Sequence, residues 1–211
     1  MTRFLMGLMM LAITASATPI PITGSGAYGS FTGSIEYLSG SQSLVLNLTN
    51  TTPFYGGFLT GVALNNPGGV ITGMTMNTTD SDFLLIGGPS FNNSVSGSPY
   101  GDFDFGAALG GNWLGGGSPN PGIPVGGSAT FTFNLAGSLA GLTTESFTQA
   151  LSDNTNEPES LVVRFRGMNC GLSDKVPGEF DPPPPEIPEP GTYALMGAGL
   201  ALVSIFSRFK K

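Results

Sequence analysis

The chain contains no histidine and a single cysteine, Cys170, and charged side chains make up only 10% of its 211 residues, against roughly a quarter in an ordinary soluble domain. Without His there is no imidazole acid/base chemistry, no Cys/His zinc site and no Cys/His dyad, and one Cys permits no intrachain disulfide. Cations are scarcer still. Of seven Lys and Arg, Arg3, Arg208, Lys210 and Lys211 lie at the ends, so Thr18 to Pro190 holds only Arg164, Arg166 and Lys175 against all fourteen acids. Simple repulsion then disfavours nucleic acid and anionic membranes as partners. What the chain has instead is glycine and proline, 33 and 17 residues, together with 15 Phe. Such a composition can build a core from strands and turns.

Met-Thr-Arg is followed by an apolar run from Phe4 to Ile13 and then by Thr14-Ala15-Ser16-Ala17, with Pro19 and Pro21 stopping any helix. A basic start, about ten apolar residues and small side chains at Ala15 and Ala17 are the parts of a secretory signal peptide over residues 1–17, cut after Ala17. The Sec translocon and signal peptidase are the partners this implies. In an exported chain the lone Cys170 is either buried and inert, which is the expectation, or available for intermolecular pairing.

Near the other end, Asp181-Pro182-Pro183-Pro184-Pro185-Glu186 reads as a stiff polyproline linker, assigned to 181–187. Beyond it come Pro188-Glu189-Pro190, an uncharged run from Tyr193 to Ser207, and Arg208-Phe209-Lys210-Lys211. Fifteen helical residues reach roughly 22 Å, short of a hydrocarbon core of about 30 Å. A transient span, with the basic tail held in the cytoplasm, fits this better than a permanent anchor. A plain tail anchor with an incidental Pro-Glu-Pro is the alternative.

In this order, Pro-Glu-Pro, hydrophobic helix and basic cluster, residues 188–211 resemble the PEP-CTERM sorting signal of Gram-negative bacteria that make exopolysaccharide and biofilm. The resemblance implies recognition at Pro188, Glu189 and Pro190 by the membrane protein exosortase, with Arg208, Lys210 and Lys211 as the cytoplasmic tail. Ile187 stands where Val is common, and Arg-Phe-Lys-Lys replaces the usual Arg-rich tail. The body is more loosely similar to other proteins bearing the signal, at Leu48-Thr49-Asn50-Thr51-Thr52-Pro53, Gly56 to Gly61, Asn65-Asn66-Pro67, Arg164 to Gly167 and Ser173 to Gly178.

Between the termini lies a domain assigned to 18–180, in which apolar residues recur with period two from Ala27 to Gly178, the pattern of half-buried strands. Ala129, Phe131, Phe133 and Leu135 oppose Ser128, Thr130, Thr132 and Asn134. Phe31, Ile35 and Tyr37 alternate with polar neighbours, as do Leu44, Leu46 and Leu48; Leu161, Val163 and Phe165 oppose Arg164 and Arg166. Further strands are predicted over Phe58–Leu64, Val70–Met76, Asp82–Ile86, Phe91–Val95 and Gly101–Phe105, and one helix over Thr144–Leu151 capped by Thr144. These elements predict an all-β fold, an antiparallel β-sandwich of jelly-roll type with one short helix.

Candidate chemistry is sparse. Alternation would put Asp102 and Asp104 on one strand face, about 7 Å apart, where a Ca²⁺ ion could relieve their repulsion; Asp80 and Asp82 form a second such pair. Carboxylates turned to water are the simpler reading, and no metal or other cofactor is assigned. Ser173-Asp174-Lys175 has the residues of a Ser/Lys catalytic pair, but its place between Gly171 and Pro177 reads as a loop. Trp113, in a glycine-rich stretch, could stack on a sugar ring or fold back over one end of the sandwich. The sequons at Asn47, Asn50, Asn77 and Asn92 reflect composition in a bacterial chain. The expectation is a non-catalytic surface or matrix protein associated with extracellular polysaccharide or biofilm. A carbohydrate-binding module and a secreted hydrolase are the alternatives; the hydrolase would need two carboxylates facing across a cleft.

Overall fold

The computed structural model describes residues 18–181. The readings at Ala15 and Ala17, the linker beyond Asp181, Pro188, Glu189, Pro190, Arg208, Lys210 and Lys211 lie outside the described residues. No helix among the described residues is long and apolar enough to cross a membrane.

Two antiparallel sheets face each other. The first sheet holds β1 (Ile20–Ser25), β2 (Ser30–Leu38), β3 (Ser43–Asn50), β5 (Ile71–Thr78), β11 (Ser128–Gly137) and β14 (Glu179–Phe180), in the order β14-β1-β2-β3-β11-β5. The second holds β4 (Phe58–Leu64), β6 (Phe83–Ile86), β9 (Phe105–Leu109), β12 (Leu161–Arg166) and β13 (Asp174–Pro177), in the order β13-β12-β4-β9-β6, with β10 (Ile123–Pro124) also against β4. A separate ribbon joins β7 (Val95–Ser96) to β8 (Asp102–Phe103). Because the chain passes repeatedly from one sheet to the other, strands distant in sequence become neighbours, as in a jelly roll.

Period-two patterning decides which side chains meet. From the first sheet, Phe31, Ile35, Leu44, Leu46, Leu48, Phe131 and Phe133 point inward; from the second, Leu59, Phe83, Phe105, Leu161, Val163 and Phe165 do so, and all are buried. Edge-on ring pairs close the layer, Phe105 with Phe133 at 5.4 Å and Phe83 with Phe131 at 5.2 Å. Each buried side chain of this size contributes about 1.5–3 kcal/mol.

Several predicted elements shift. Strand β1 precedes the stretch in which alternation was read, because Pro19 and Pro21 look like breakers. Pro21 is tolerated there: it needs no ladder donor toward β14, which reaches β1 only at Ile22 and Thr23, while its carbonyl accepts from Asp181 N–H at 3.1 Å. The predicted strand Phe91–Val95 is a turn in which Phe91 and Asn93 both take φ +48°, and only Val95–Ser96 pairs. The helix spans Thr144–Gln149, and its N-cap is Thr143, not Thr144. Thr143 and Ser146 form a reciprocal capping box. The Thr144 hydroxyl, one position inside, instead accepts from Tyr37 N–H at 3.0 Å and ties the helix to β2. Leu151, placed by the prediction in the last turn, lies beyond the helix and is exposed.

Strand β4 does not alternate in burial; everything from Leu59 to Leu64 is buried. A second apolar cluster on the outer face of its sheet explains this. There Ala63, Ala108 and Val162 are covered by Val95, Phe103 and Trp113 from the loops that follow β6 and β9.

Candidate functional site

Trp113 packs in the outer layer on the second sheet, where Arg164 reaches its carbonyl, so the candidate site is built from there. Trp113 is 6% exposed. Its ring lies over Gly61 of β4, where an added Cβ would come within 3.0 Å of two ring carbons, and its Nε1–H donates to the Ser96 carbonyl at 2.8 Å. The indole therefore folds back onto the sandwich, and its faces are not free to stack on a sugar ring. What remains open beside it is a cavity of about 560 Å³ between Leu85–Gly88, Ser94–Ser96 and Gly111–Leu114, walled without a titratable side chain.

Asp102 and Asp104 do not share one strand face. The strand predicted over Gly101–Phe105 breaks at Asp104, which separates β8 from β9. Phe103 consequently packs in the outer cluster while Phe105 packs between the sheets. The break has a cause in the carboxylate of Asp104: one oxygen accepts from Asn66 N–H and the other from Asn93 N–H, both at 2.6 Å. Such charge-assisted bonds are the strong kind. Asp102 accepts from Asn154 Nδ2 at 2.9 Å. Asp80 accepts from Asp82 N–H at 3.1 Å within a tight turn. No group of three or more metal-ligating side chains forms among the described residues.

The cations hold loops. Arg164 donates to the Trp113 carbonyl, Arg166 to the carbonyls of Gly116 and Gly117 at 3.3 and 3.2 Å, and Lys175 to the Ser98 carbonyl at 2.6 Å. Burial lowers the pKa of Arg164, with the Arg166 charge adding to it; burial likewise lowers that of Lys175, with the Arg164 charge adding. Lys175 sits on an edge strand, not in the predicted loop, and its register partner is Arg164. Together with Ser98, Pro99, Tyr100, Ser173 and Asp174 these two cations line a cavity of about 390 Å³. Neither this cavity nor the larger one carries a pair of carboxylates.

Motifs that gave the body its look of a sorted protein are buried hydrogen-bonding posts. Asn50 Nδ2 donates to the Ile123 carbonyl at 3.0 Å while its Oδ1 accepts from Thr52 N–H at 3.1 Å. Asn65 Nδ2 reaches the carbonyls of Ala150 and Glu159 at 3.0 and 2.9 Å. Asn66 Oδ1 accepts from Ile71 N–H at 2.9 Å, and its Nδ2 donates to the Ile71 carbonyl at 2.9 Å. Every such amide replaces a water that the loop main chain would otherwise need.

Cys170 is exposed, at φ +63° in a short turn, contrary to the expected burial. Neighbouring Asn169 explains the outward position: its N–H donates to the Tyr55 carbonyl at 2.8 Å and pins the turn against the 54–57 loop.

Sequence reasoning missed the opposition of Arg164 and Lys175 and the approach of Tyr100. The alternation of Arg164 and Arg166 across Leu161–Arg166 did carry half of that signal, since it places both on one face.

No curated protein and no solved structure matches the chain. A family model does match, over residues 186–211, and it is the PEP-CTERM protein-sorting motif. The chain therefore carries a PEP-CTERM sorting signal, which marks it for export to the cell surface with processing by exosortase.

Proposed function

We propose that the protein is a non-catalytic surface or matrix component that associates with extracellular polysaccharide. After passage through the Sec translocon and removal of residues 1–17 by signal peptidase, the chain is held briefly in the inner membrane by its C-terminal apolar run. It is then released by cleavage in the sorting signal, with Pro188-Glu189-Pro190 as the element read. The observation that carries this reading is the sorting motif at 186–211. The inventory of the domain supports it: Asp104, Trp113, Arg166 and the buried Asn residues are all committed to fixing loops. A sandwich with loops tied down in this way suits a durable scaffold outside the cell.

Fractionation of the host tests the reading. The processed protein is expected in the washed polysaccharide matrix, and an exosortase-deficient host is expected to retain the precursor in its membranes. Recovery in the cytosol, or in the culture fluid free of polysaccharide, would overturn it.

A further inference from the structure

The described residues contain twelve acids and three cations, yet two of those cations stand directly opposite each other on neighbouring strands, Arg164 of β12 facing Lys175 of β13. Like charges in that relation are destabilising. Arg166 lies two residues farther along β12 and shares the face. Burial sets the Lys175 ammonium against its charged form, and the Arg164 guanidinium adds to that. A chain short of cations concentrates them where they repel and beside a cavity.

The carboxylate at hand does not answer them. Asp174 Oδ2 is taken by Tyr28 N–H and Gly29 N–H at 2.8 and 3.0 Å, and its Oδ1 by Lys175 N–H at 2.9 Å. Arg164 and Lys175 each give one bond to a main-chain carbonyl. That fixes their direction and leaves further donors, since a guanidinium carries five and an ammonium three.

We propose that the cavity lined by Tyr100, Arg164 and Lys175 binds an acidic sugar residue, with the ligand carboxylate taken by Arg164 and Lys175. Its volume, about 390 Å³, lies in the lower range of small-molecule sites, about 300–1,000 Å³; a lone inorganic anion would leave most of it unfilled. Tyr100 supplies a ring for the sugar face, and the hydroxyls of Ser98 and Ser173 supply polar partners for the sugar hydroxyls. Eleven acids over the rest of the domain, all but Asp174 of the twelve described, repel a polyanion everywhere else, so recognition falls on one residue, at a chain end or a branch. The inference rests on the reading of the protein as a polysaccharide-associated one and names the sugar class that it holds.

Titration calorimetry on the full chain in non-ionic detergent tests it with tetragalacturonate, maltotetraose and inorganic sulfate as probes. Tetragalacturonate is expected to bind, and the other two to bind at least about tenfold more weakly, as loss of a charge-assisted contact implies. Lys175→Gln keeps an amide donor for the Ser98 carbonyl and is expected to weaken tetragalacturonate binding by about tenfold or more. Arg166→Gln, outside the cavity, is expected to change it by less than about threefold. Circular dichroism matching the parent chain shows that each variant folds. Three results overturn the inference: tetragalacturonate fails to bind, sulfate binds equally well, or Lys175→Gln leaves affinity unchanged. Matrix fractionation separates the two readings. A protein recovered with the matrix that ignores tetragalacturonate loses only the acidic-sugar site, whereas absence from the matrix overturns the functional reading.

Discussion

Trp113→Ala separates a structural tryptophan from a recognition tryptophan. The side chain is 6% exposed, closes a cluster with Ala63, Val95, Phe103, Ala108 and Val162, and satisfies the Ser96 carbonyl at 2.8 Å. Truncating a buried Trp to Ala costs about 3–5 kcal/mol through lost transfer energy and the cavity left behind. In a domain of this length each kcal/mol lowers Tm by about 2–4 °C, so the variant should melt roughly 6–20 °C below the parent chain. Far-UV circular dichroism is the appropriate probe, because the substitution removes the only Trp. Urea titration followed the same way should show a lower midpoint. A surface Trp kept for sugar stacking would change stability by no more than about 0.5 kcal/mol. A measured loss below about 1 kcal/mol would therefore refute the packing account of the outer layer.

Four further substitutions or probes address the loops. Asp104→Asn removes the charge from two short bonds to Asn66 and Asn93 N–H and should cost roughly 2 kcal/mol or more in urea unfolding. Millimolar Ca²⁺ should leave the Tm of the parent chain unchanged, where a bound ion would raise it through linkage. Glu159 has its pKa raised from 4.5, first by burial and then by Glu157 and Glu179. Its folded-state pKa thus exceeds the unfolded one, and the stability it retains while protonated is lost as pH rises above about 4.5. Glu159→Gln should accordingly raise the urea midpoint at pH 7, with the gain fading to nothing below pH 4.5; a gain that persists at pH 4 contradicts the assignment. Cys170 is exposed, so a thiol-specific reagent should label the native chain within about tenfold of the rate for the urea-unfolded chain. Protection by several orders of magnitude would show it buried.

The sandwich was legible wherever one face meets the core and the other meets water. Ser128 to Leu135 and Leu44 to Leu48 alternate in the sequence as they do in burial. Legibility failed where a strand is buried on both faces or where a side chain redirects the main chain. Nothing local distinguishes Leu59–Leu64 covered by Trp113 from the same run half in water. The break at Asp104 depends on N–H groups of Asn66 and Asn93, distant in sequence. The helix N-cap at Thr143 lies one residue before the Thr144 that the sequence suggests because the two are chemically alike, and only the contact with Tyr37 N–H tells them apart. At the candidate site, Arg164 and Arg166 could be assigned a common face from their spacing, but pairing Arg164 with Lys175 required strand order, which no local pattern encodes. The sorting signal is the opposite case. Its meaning resides in a linear order of residues read by another protein, and it can be recognised without the fold.

That signal is also where the account is most directly exposed to measurement. Intact-mass and terminal-peptide mass spectrometry of the protein isolated from its host should show a chain beginning at Thr18 and lacking the basic residues Arg208, Lys210 and Lys211. A product retaining Met1, or ending at Lys211 in the surface fraction, contradicts it.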